Sequence, residues 1–106
     1  MEFKIGQRWV SQTDAALGLG VVTDVSGRRV RVSFPAVDEE RTYATDNAPL
    51  ARVRYQVGEQ VHDMHLRLLT VTALADQQGL ILYKTVSADG ETVDLPEVRL
   101  SPYANF

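Results

Sequence analysis

The stretch Leu17-Gly-Leu-Gly-Val-Val-Thr-Asp-Val-Ser-Gly-Arg-Arg-Val-Arg-Val-Ser-Phe34 reads as two strands joined by a tight turn. In its last part, Arg29-Val-Arg-Val-Ser-Phe34, apolar residues alternate with arginine and serine, and successive side chains of a strand point to opposite faces. Ser26 and Gly27 form the predicted turn, because glycine readily adopts the positive φ that tight hairpins need. The pattern predicts a hairpin with one apolar and one basic face, which is typical of a small β-barrel.

The composition is that of a globular protein. The chain has 106 residues, of which 44% are hydrophobic and 24% charged, and these fractions lie in the ordinary folded range. Cysteine is absent, which excludes disulfide frameworks and zinc ribbons and fits a reducing cytoplasm. No apolar run approaches the roughly 20 residues of a membrane span. We therefore expect a soluble protein that is not exported and has no membrane partner.

The net charge of -3 is unevenly distributed along the chain. Residues 1–54 carry eight Lys and Arg against seven Asp and Glu, whereas residues 55–106 carry three against seven. Non-specific binding to nucleic acid depends on neutralising phosphates with basic side chains. Only the first half of the chain could offer such a surface.

An internal repeat divides the chain. Phe3-Lys-Ile-Gly-Gln-Arg-Trp-Val10 recurs as Tyr55-Gln-Val-Gly-Glu-Gln-Val-His62, and Val22–Val25 recurs as Val71–Leu74. A repeat of about 50 residues indicates two modules, and one such module alone is only marginally stable because it buries little surface. We predict two modules that pack as one rigid unit, residues 1–54 and residues 55–106.

Turn signals at short intervals predict an all-β protein with ten strands. The first module is predicted to contain strands at Gln7–Ser11, Leu19–Val25, Arg28–Phe34, Glu40–Thr45 and Leu50–Arg54. The second is predicted to contain strands at Gln60–His62, Leu68–Leu74, Leu80–Thr85, Thr92–Leu95 and Val98–Leu100. Leu50–Val53 is expected to correspond to Leu95–Val98, and a short helical turn is expected at each of the ranges 46–49 and 95–97.

Two polar groups invite a chemical interpretation that their context does not favour. His62 and His65 have a metal-like spacing, but they fall at a strand end and loop without a third ligand, so we predict no metal site. Ser11, Thr13 and Asp14 lack the sequence context of a hydrolase and are typical of turn chemistry. We predict no catalytic residue in this chain.

Four arginines are the more informative group: Arg28, Arg29, Arg31 and Arg41. Outward residues of paired strands lie close together, so we expect these guanidinium groups to share one face. Such a face suits phosphate groups or acidic side chains. The alternative is an ordinary solvated face balanced by the acidic run Asp38–Glu40.

Three aromatic residues on neighbouring strands allow two interpretations. Trp9, Phe34 and Tyr43 could form a cage for a methylated ammonium group. Core packing is the favoured alternative, because large aromatic side chains dominate the interiors of small barrels.

The order and spacing of several motifs resemble the start of the RapA family, bacterial RNA polymerase-associated ATPases of the SWI/SNF type. The resemblance is dense in the first module and thinner in the second, and its residues are Phe3–Val10, Leu17–Val21, Phe34-Pro35, Arg41–Ala44, Pro49, Arg52-Val53, Gly58, Gly79-Leu80, Tyr83 and Glu97-Val98. It implies two tandem Tudor-like barrels, related to SH3-like and KOW-like folds, ahead of a DNA-translocating ATPase that uses ATP and Mg²⁺. The motifs of that ATPase are absent from these 106 residues, so the fragment itself is expected to be non-enzymatic and without a cofactor.

The resemblance also implies a function. We expect a non-catalytic interaction and regulatory module that binds RNA polymerase, promotes its recycling, and contacts the ATPase core of its own parent chain. One alternative is direct binding of DNA or RNA by a KOW-like first barrel, and another is a Tudor-type reader of methylated side chains. The residues predicted to contact the partner are Arg28, Arg29, Arg31 and Arg41 as polar contacts, with Trp9 and Tyr43 as aromatic anchors.

Overall fold

A computed structural model describes residues 2–103 of the chain, and its regular structure consists of β-strands and short 3-10 helices. The first sheet contains β1 (Arg8–Ser11), β2 (Gly20–Ser26), β3 (Arg29–Phe34), β4 (Glu39–Ala44) and β5 (Leu50–Arg52). The second contains β6 (Gln60–His62), β7 (Leu68–Gln77), β8 (Leu80–Ser87) and β9 (Thr92–Pro96). The 3-10 helices span Ala15–Leu17, Pro35–Val37 and Glu97–Arg99. The all-β prediction is confirmed, and no helix among the described residues is long and apolar enough to cross a membrane.

Both sheets are antiparallel and curled. The first has the strand order β4-β3-β2-β1-β5, and the second has the order β6-β7-β8-β9. The hairpin predicted at the start of the chain is β2 and β3, and its turn residue Gly27 has a φ of 59°. The apolar residues of β3 are fully buried, whereas Arg29 and Arg31 are exposed. The predicted alternation of faces is therefore confirmed.

The internal repeat is visible in equivalent hydrogen bonds. The amide of Gly6 donates to the Val22 carbonyl at 2.9 Å, and the amide of Gly58 donates to the Val71 carbonyl at 2.8 Å. Both glycines have positive φ, 97° and 94°, which a side chain would make unfavourable. The strand register shifts directly after each valine, as in a β-bulge. The two copies therefore bend their sheets in the same way, at the same place.

The prediction of a last strand at Val98–Leu100 is wrong. Glu97–Arg99 forms a 3-10 helix, and Leu100 alone makes an isolated bridge, to Asp63. The Glu97 side chain is buried and accepts several hydrogen bonds, so the chain turns here to bring a carboxylate into the interior instead of continuing as a strand.

The predicted correspondence of Leu50–Val53 with Leu95–Val98 is also wrong. Leu95 of β9 pairs with Tyr83 of β8, whereas Leu50 of β5 pairs with Ser11 of β1 at the edge of the first sheet. The first of the two expected helical turns, at 46–49, is an ordinary turn, and the second is displaced to Glu97–Arg99. Loop lengths differ between the copies, and this difference shifted the correspondence.

Each sheet encloses its own apolar core. The first core is made of Phe3, Trp9, Leu17, Val22, Val30, Val32, Phe34, Ala48 and Leu50. The second is made of Val61, Leu69, Val71, Ile81, Tyr83, Leu95 and Leu100, and it also includes Leu19 from the first half of the chain. Because Leu19 is 0% exposed, the first half contributes directly to the second core. The limits 1–54 and 55–106 stay a prediction.

Candidate interaction surface

The strand register separates the four candidate arginines. On β3, Arg29 and Arg31 point outward, and Arg31 lies opposite Thr42 of β4. Arg41 lies opposite the buried Val32, so it belongs to the other face of the sheet. The expectation that all four guanidinium groups share one face is therefore wrong for Arg41. Arg41 would share the face of Arg31 only if β4 were shifted by one residue along β3, because a shift of one residue moves every side chain to the other face.

Two of these arginines have acidic partners. Arg31 Nε lies 3.7 Å from Glu40 Oε1. Arg41 Nη2 lies 3.0 Å from Glu39 Oε2 and 3.6 Å from Asp14 Oδ2, and its hydrogen bond to Glu39 raises the pKa of Arg41. All of these side chains are largely exposed, and exposed ion pairs contribute little to stability. They can therefore be exchanged for a partner's charges at little loss.

Arg28 and Arg29 make no ion pair within residues 2–103. Together with Tyr43 they line an open groove of about 470 Å³ at the end of the β3–β4 hairpin. The Tyr43 hydroxyl is buried and has no hydrogen-bond partner among the described residues, and burial raises the pKa of Tyr43. The structure thus brings Arg28 and Arg29 together, whereas the side chain of Tyr43, which pairs with the buried Val30, lies on the same face of the sheet as Arg41.

A buried polar cluster, which was not among the residues predicted from the sequence, joins the two sheets. Arg8 of β1 is 1% exposed, and its Nε donates to the Glu97 carbonyl at 3.0 Å. Its Nη2 donates to the carbonyls of Val98 and Leu100. These carbonyls lie in and after the 3-10 helix of the second half, so one side chain from the first sheet binds three of its backbone groups.

The Glu97 carboxylate completes this cluster. It is 2% exposed and accepts hydrogen bonds from the amides of Arg8, at 2.9 Å, and Ile81. It also forms a two-point ion pair with Arg52 of β5. Arg52 further donates to the Gly79 carbonyl at 3.2 Å. We call these three side chains, Arg8, Arg52 and Glu97, the interdomain clamp.

Burial changes the ionisation of Arg8 in the clamp. It lowers the pKa of Arg8 to about 10, against the attraction of Glu97, which raises it. Arg8 therefore remains charged at neutral pH. Two buried or half-buried cations beside one carboxylate are stable only while that carboxylate is present. The one sequence signal for this arrangement is that Arg8 shares a strand face with the apolar Val10.

Comparison with known families decides the assignment. A family model described as "RapA N-terminal Tudor like domain 1" matches residues 3–53. A second model, described as "RapA N-terminal Tudor like domain", matches residues 55–106. This chain belongs to the RapA N-terminal Tudor-like family. Both models describe Tudor-like domains of the RapA N-terminal region, as the resemblance implied.

Similar proteins carry the same family name. The chain is 42% identical over 105 residues to RNA polymerase-associated protein RapA of Actinobacillus pleuropneumoniae serotype 5b (strain L20), covering 98% of this chain and 11% of that protein. It is 41% identical over 105 residues to RNA polymerase-associated protein RapA of Pseudomonas fluorescens (strain Pf0-1), covering 99% of this chain and 11% of that protein. The chain therefore spans about a tenth of the length of the RapA proteins it matches.

The aromatic residues of this Tudor-like chain do not form an open cage. Trp9 is 6% exposed, packs 4.7 Å from Phe3 between ring centroids, and donates to the Gln7 side chain at 3.1 Å. Phe34 is fully buried. Core packing, the favoured interpretation, accounts for both rings. A methylated ammonium would therefore have to displace the core to reach them, and Trp9 is not at the surface as an anchor.

The side chains of Asp63 and Ser11 accept backbone hydrogen bonds within the loops that contain the other polar residues considered above, His65, Thr13 and Asp14. The Asp63 carboxylate accepts hydrogen bonds from the amides of His65 and Arg67, both at 2.9 Å. Ser11 Oγ accepts from the amides of Thr13, at 3.2 Å, and Asp14, at 2.9 Å. Among the described residues no group of three or more His, Cys, Asp or Glu could hold a metal ion.

Proposed function

We propose that this chain is a non-catalytic interaction module through which a longer RapA protein binds RNA polymerase. The observation that carries the proposal is the interdomain clamp, because Glu97 and Arg52 hold two small barrels in one orientation. A preorganised surface loses little conformational entropy on binding. The RapA relatives, which carry "RNA polymerase-associated" in their names, supply the partner in this proposal.

The contact surface in this proposal centres on the groove of the first sheet. Arg28 and Arg29 are charged, exposed and unpaired within residues 2–103, and arginine is among the residues that dominate interface energetics. Tyr43 forms part of the groove wall. Arg31, on the same face as Arg29, exchanges its present acidic partner for one of the polymerase, and Arg41 does so from the other face of the edge strand β4. Trp9 is not a contact residue in this proposal, because it lies in the first core, 5.8 Å from the Arg52 guanidinium.

The remainder of the proposal concerns the parent protein. The module promotes release and recycling of the polymerase, and it contacts the ATPase core of its own chain and restrains it when polymerase is absent. ATP and Mg²⁺ are used by that core and not by these residues. The location is the bacterial cytoplasm, at the nucleoid.

A deletion tests this proposal. The full-length parent with and without residues 1–106 is compared for equilibrium affinity to RNA polymerase and for ATPase rate. We expect the deletion to weaken binding and to raise the ATPase rate in the absence of polymerase. If neither quantity changes, the chain has another role.

Direct binding of nucleic acid is the second candidate, and the unpaired Arg28 and Arg29 are the observation that favours it. Its signature is salt dependence, since each phosphate contact releases counterions. Binding to DNA or RNA that weakens steeply between low and physiological salt would support this candidate. The acidic balance of residues 55–106 argues against it.

A further inference from the structure

The two apolar cores differ in one respect: only the second is built from both halves of the chain. Among the described residues, the side chains of the first core, and Tyr43 which packs against it, all lie between residues 3 and 50. The second core contains Leu19 of the first half, which is 0% exposed, and Val10 and Val53 of the first half pack against it. The second core therefore needs the first half of the chain, whereas the first core is complete without the second half.

The interdomain clamp shows the same dependence in its charges. Glu97 belongs to the second half and accepts hydrogen bonds from the Arg8 amide and the Arg52 guanidinium of the first half. Within its own half, and among the described residues, its one donor is the Ile81 amide. Removing the partner of a buried charge is strongly destabilising. If the first half unfolded alone, the second half would therefore retain a buried carboxylate without its counter-charge.

The first half meets no such penalty when the second half unfolds. Arg8 would move into water, and its charge would regain the solvation that burial removes. The three carbonyls to which Arg8 donates lie within residues 97–100 and would unfold with the second half. Leu19 would lose its burial, but it is a member of the second core and not of the first. The first sheet would therefore lose contacts on its outer surface and keep its interior.

We infer that the two halves of the chain open in a fixed order. The second half, β6–β9, unfolds while the first half, β1–β5, stays folded, and the first half does not unfold while the second stays folded. Cooperative units of unequal stability within one native protein open separately in this way. The groove lined by Arg28 and Arg29 consists of residues 28–46, so it belongs to the half that stays folded. Opening therefore releases the fixed orientation of the two barrels and leaves this groove intact.

Native-state hydrogen exchange of the 106-residue chain, measured by NMR at low urea concentrations, tests this order. Two equivalent amides of the repeat serve as reporters: Val22 donates to the Gln7 carbonyl at 3.0 Å, and Val71 donates to the Glu59 carbonyl at 2.9 Å. Both valines are 1% exposed. We expect a lower protection factor for Val71 than for Val22. The exchange of Val71 should also depend less on urea, because this dependence scales with the surface exposed on opening.

Leu17 and Leu19 provide a matched pair of variants, since both are leucines no more than 2% exposed and each belongs to a different core. Leu19→Ala weakens only the fully closed state, so it should speed the exchange of Val22 and Val71 alike, by at least about thirtyfold. Leu17→Ala weakens the closed and half-open states equally, so it should speed Val22 by a similar factor and leave Val71 unchanged. Leu17→Val and Leu19→Val make the same comparison if an alanine variant does not fold.

Every other pattern of exchange contradicts this order. If each variant speeds both reporters, the chain opens as a single unit. If each variant speeds only the reporter of its own core, the two halves open independently. If Leu17→Ala speeds both reporters while Leu19→Ala speeds only Val71, the order is reversed. None of these results depends on RNA polymerase, so the proposed function stands or falls by its own test.

Discussion

Arg52 Nη2 donates to Glu97 Oε2 at 2.7 Å, and this ion pair links the last strand of the first sheet to the 3-10 helix that follows the second. The Glu97 side chain is almost fully buried, while the Arg52 side chain is 24% exposed. The carboxylate therefore depends on Arg52 and Arg8 for its charge compensation, and the two barrels depend on the carboxylate for their orientation.

Replacing Glu97 by glutamine should destabilise the chain strongly. The substitution keeps the shape of the side chain but leaves the cations of Arg8 and Arg52 without their counter-charge, and breaking a buried pair in this way costs about 3 to 5 kcal/mol. Urea denaturation of wild type and Glu97→Gln measures the difference. Glu91→Gln, which removes the exposed partner of Arg67, is the control and should have a far smaller effect. Equal effects of the two variants would mean that the clamp does not hold the barrels together.

Gly20→Ala should destabilise the first barrel by overpacking. A Cβ at this position would lie 2.6 Å from Val32 Cγ1 and 2.8 Å from Phe34 Cε1, both of which are fully buried. Overpacking of a core typically costs about 1 to 3 kcal/mol. Thermal unfolding measures it as a lower Tm. An unchanged Tm would show that β2 can move away from β3 and that this core is loosely packed.

The stability contributed by Asp63 should depend on pH in the acid range. Burial opposes its charge, but the hydrogen bonds from Arg67 and His65 outweigh burial and lower the pKa of Asp63 below 3.8. A lowered folded pKa gives stability that is complete above the unfolded value and is lost as the pH falls through the folded value. The stability difference between wild type and Asp63→Asn should therefore be constant near neutral pH and shrink as the pH falls below about 4.

Urea denaturation between pH 2 and pH 7 measures this difference, and Asp94→Asn is the control. Asp94 is exposed and pairs with Lys84, so its removal should leave the acid dependence of wild type nearly unchanged. A wild-type advantage over Asp63→Asn that stays the same down to pH 2 would contradict the role of this carboxylate in holding its loop.

Charge reversal at Arg29 should weaken binding to the polymerase. Arg29 lines the groove beside Arg28 and Tyr43, and reversing it places an acidic group where we propose an acidic surface docks. Arg54→Glu changes the net charge equally at another exposed position and is the matched control. Surface plasmon resonance with immobilised polymerase should show slower association for Arg29→Glu alone. Equal slowing by both variants would mean that Arg29 affects binding only through the net charge of the chain.

The fold could be predicted from the sequence because its signals are local. Gly27 marks the hairpin turn, the alternation in β3 marks a half-buried strand, and Gly6 and Gly58 recur in the two copies. Each of these features depends on a few neighbouring residues. The family motifs lie on the same residues, which is why fold and family could be predicted together.

The site was harder to predict because it depends on long-range register. The side of the sheet on which Arg41 lies is set by how β4 pairs with β3 after the 3-10 helix Pro35–Val37, and no residue pattern within β4 indicates this. The clamp joins residues 45 and 89 positions apart. Arg8 and Glu97 look like ordinary surface residues until the two barrels are placed side by side.

Whether the 106-residue chain binds RNA polymerase on its own is the sharpest test of the proposed interaction module. Isothermal titration of the isolated chain into purified core polymerase should give saturable binding with one site and a Kd of about 10 μM or tighter. The heat of binding should be smaller for Glu97→Gln, because this variant no longer holds the two barrels in one orientation. If the chain is shown to be folded but gives no saturable binding at concentrations well above that value, it is not an RNA polymerase-binding module.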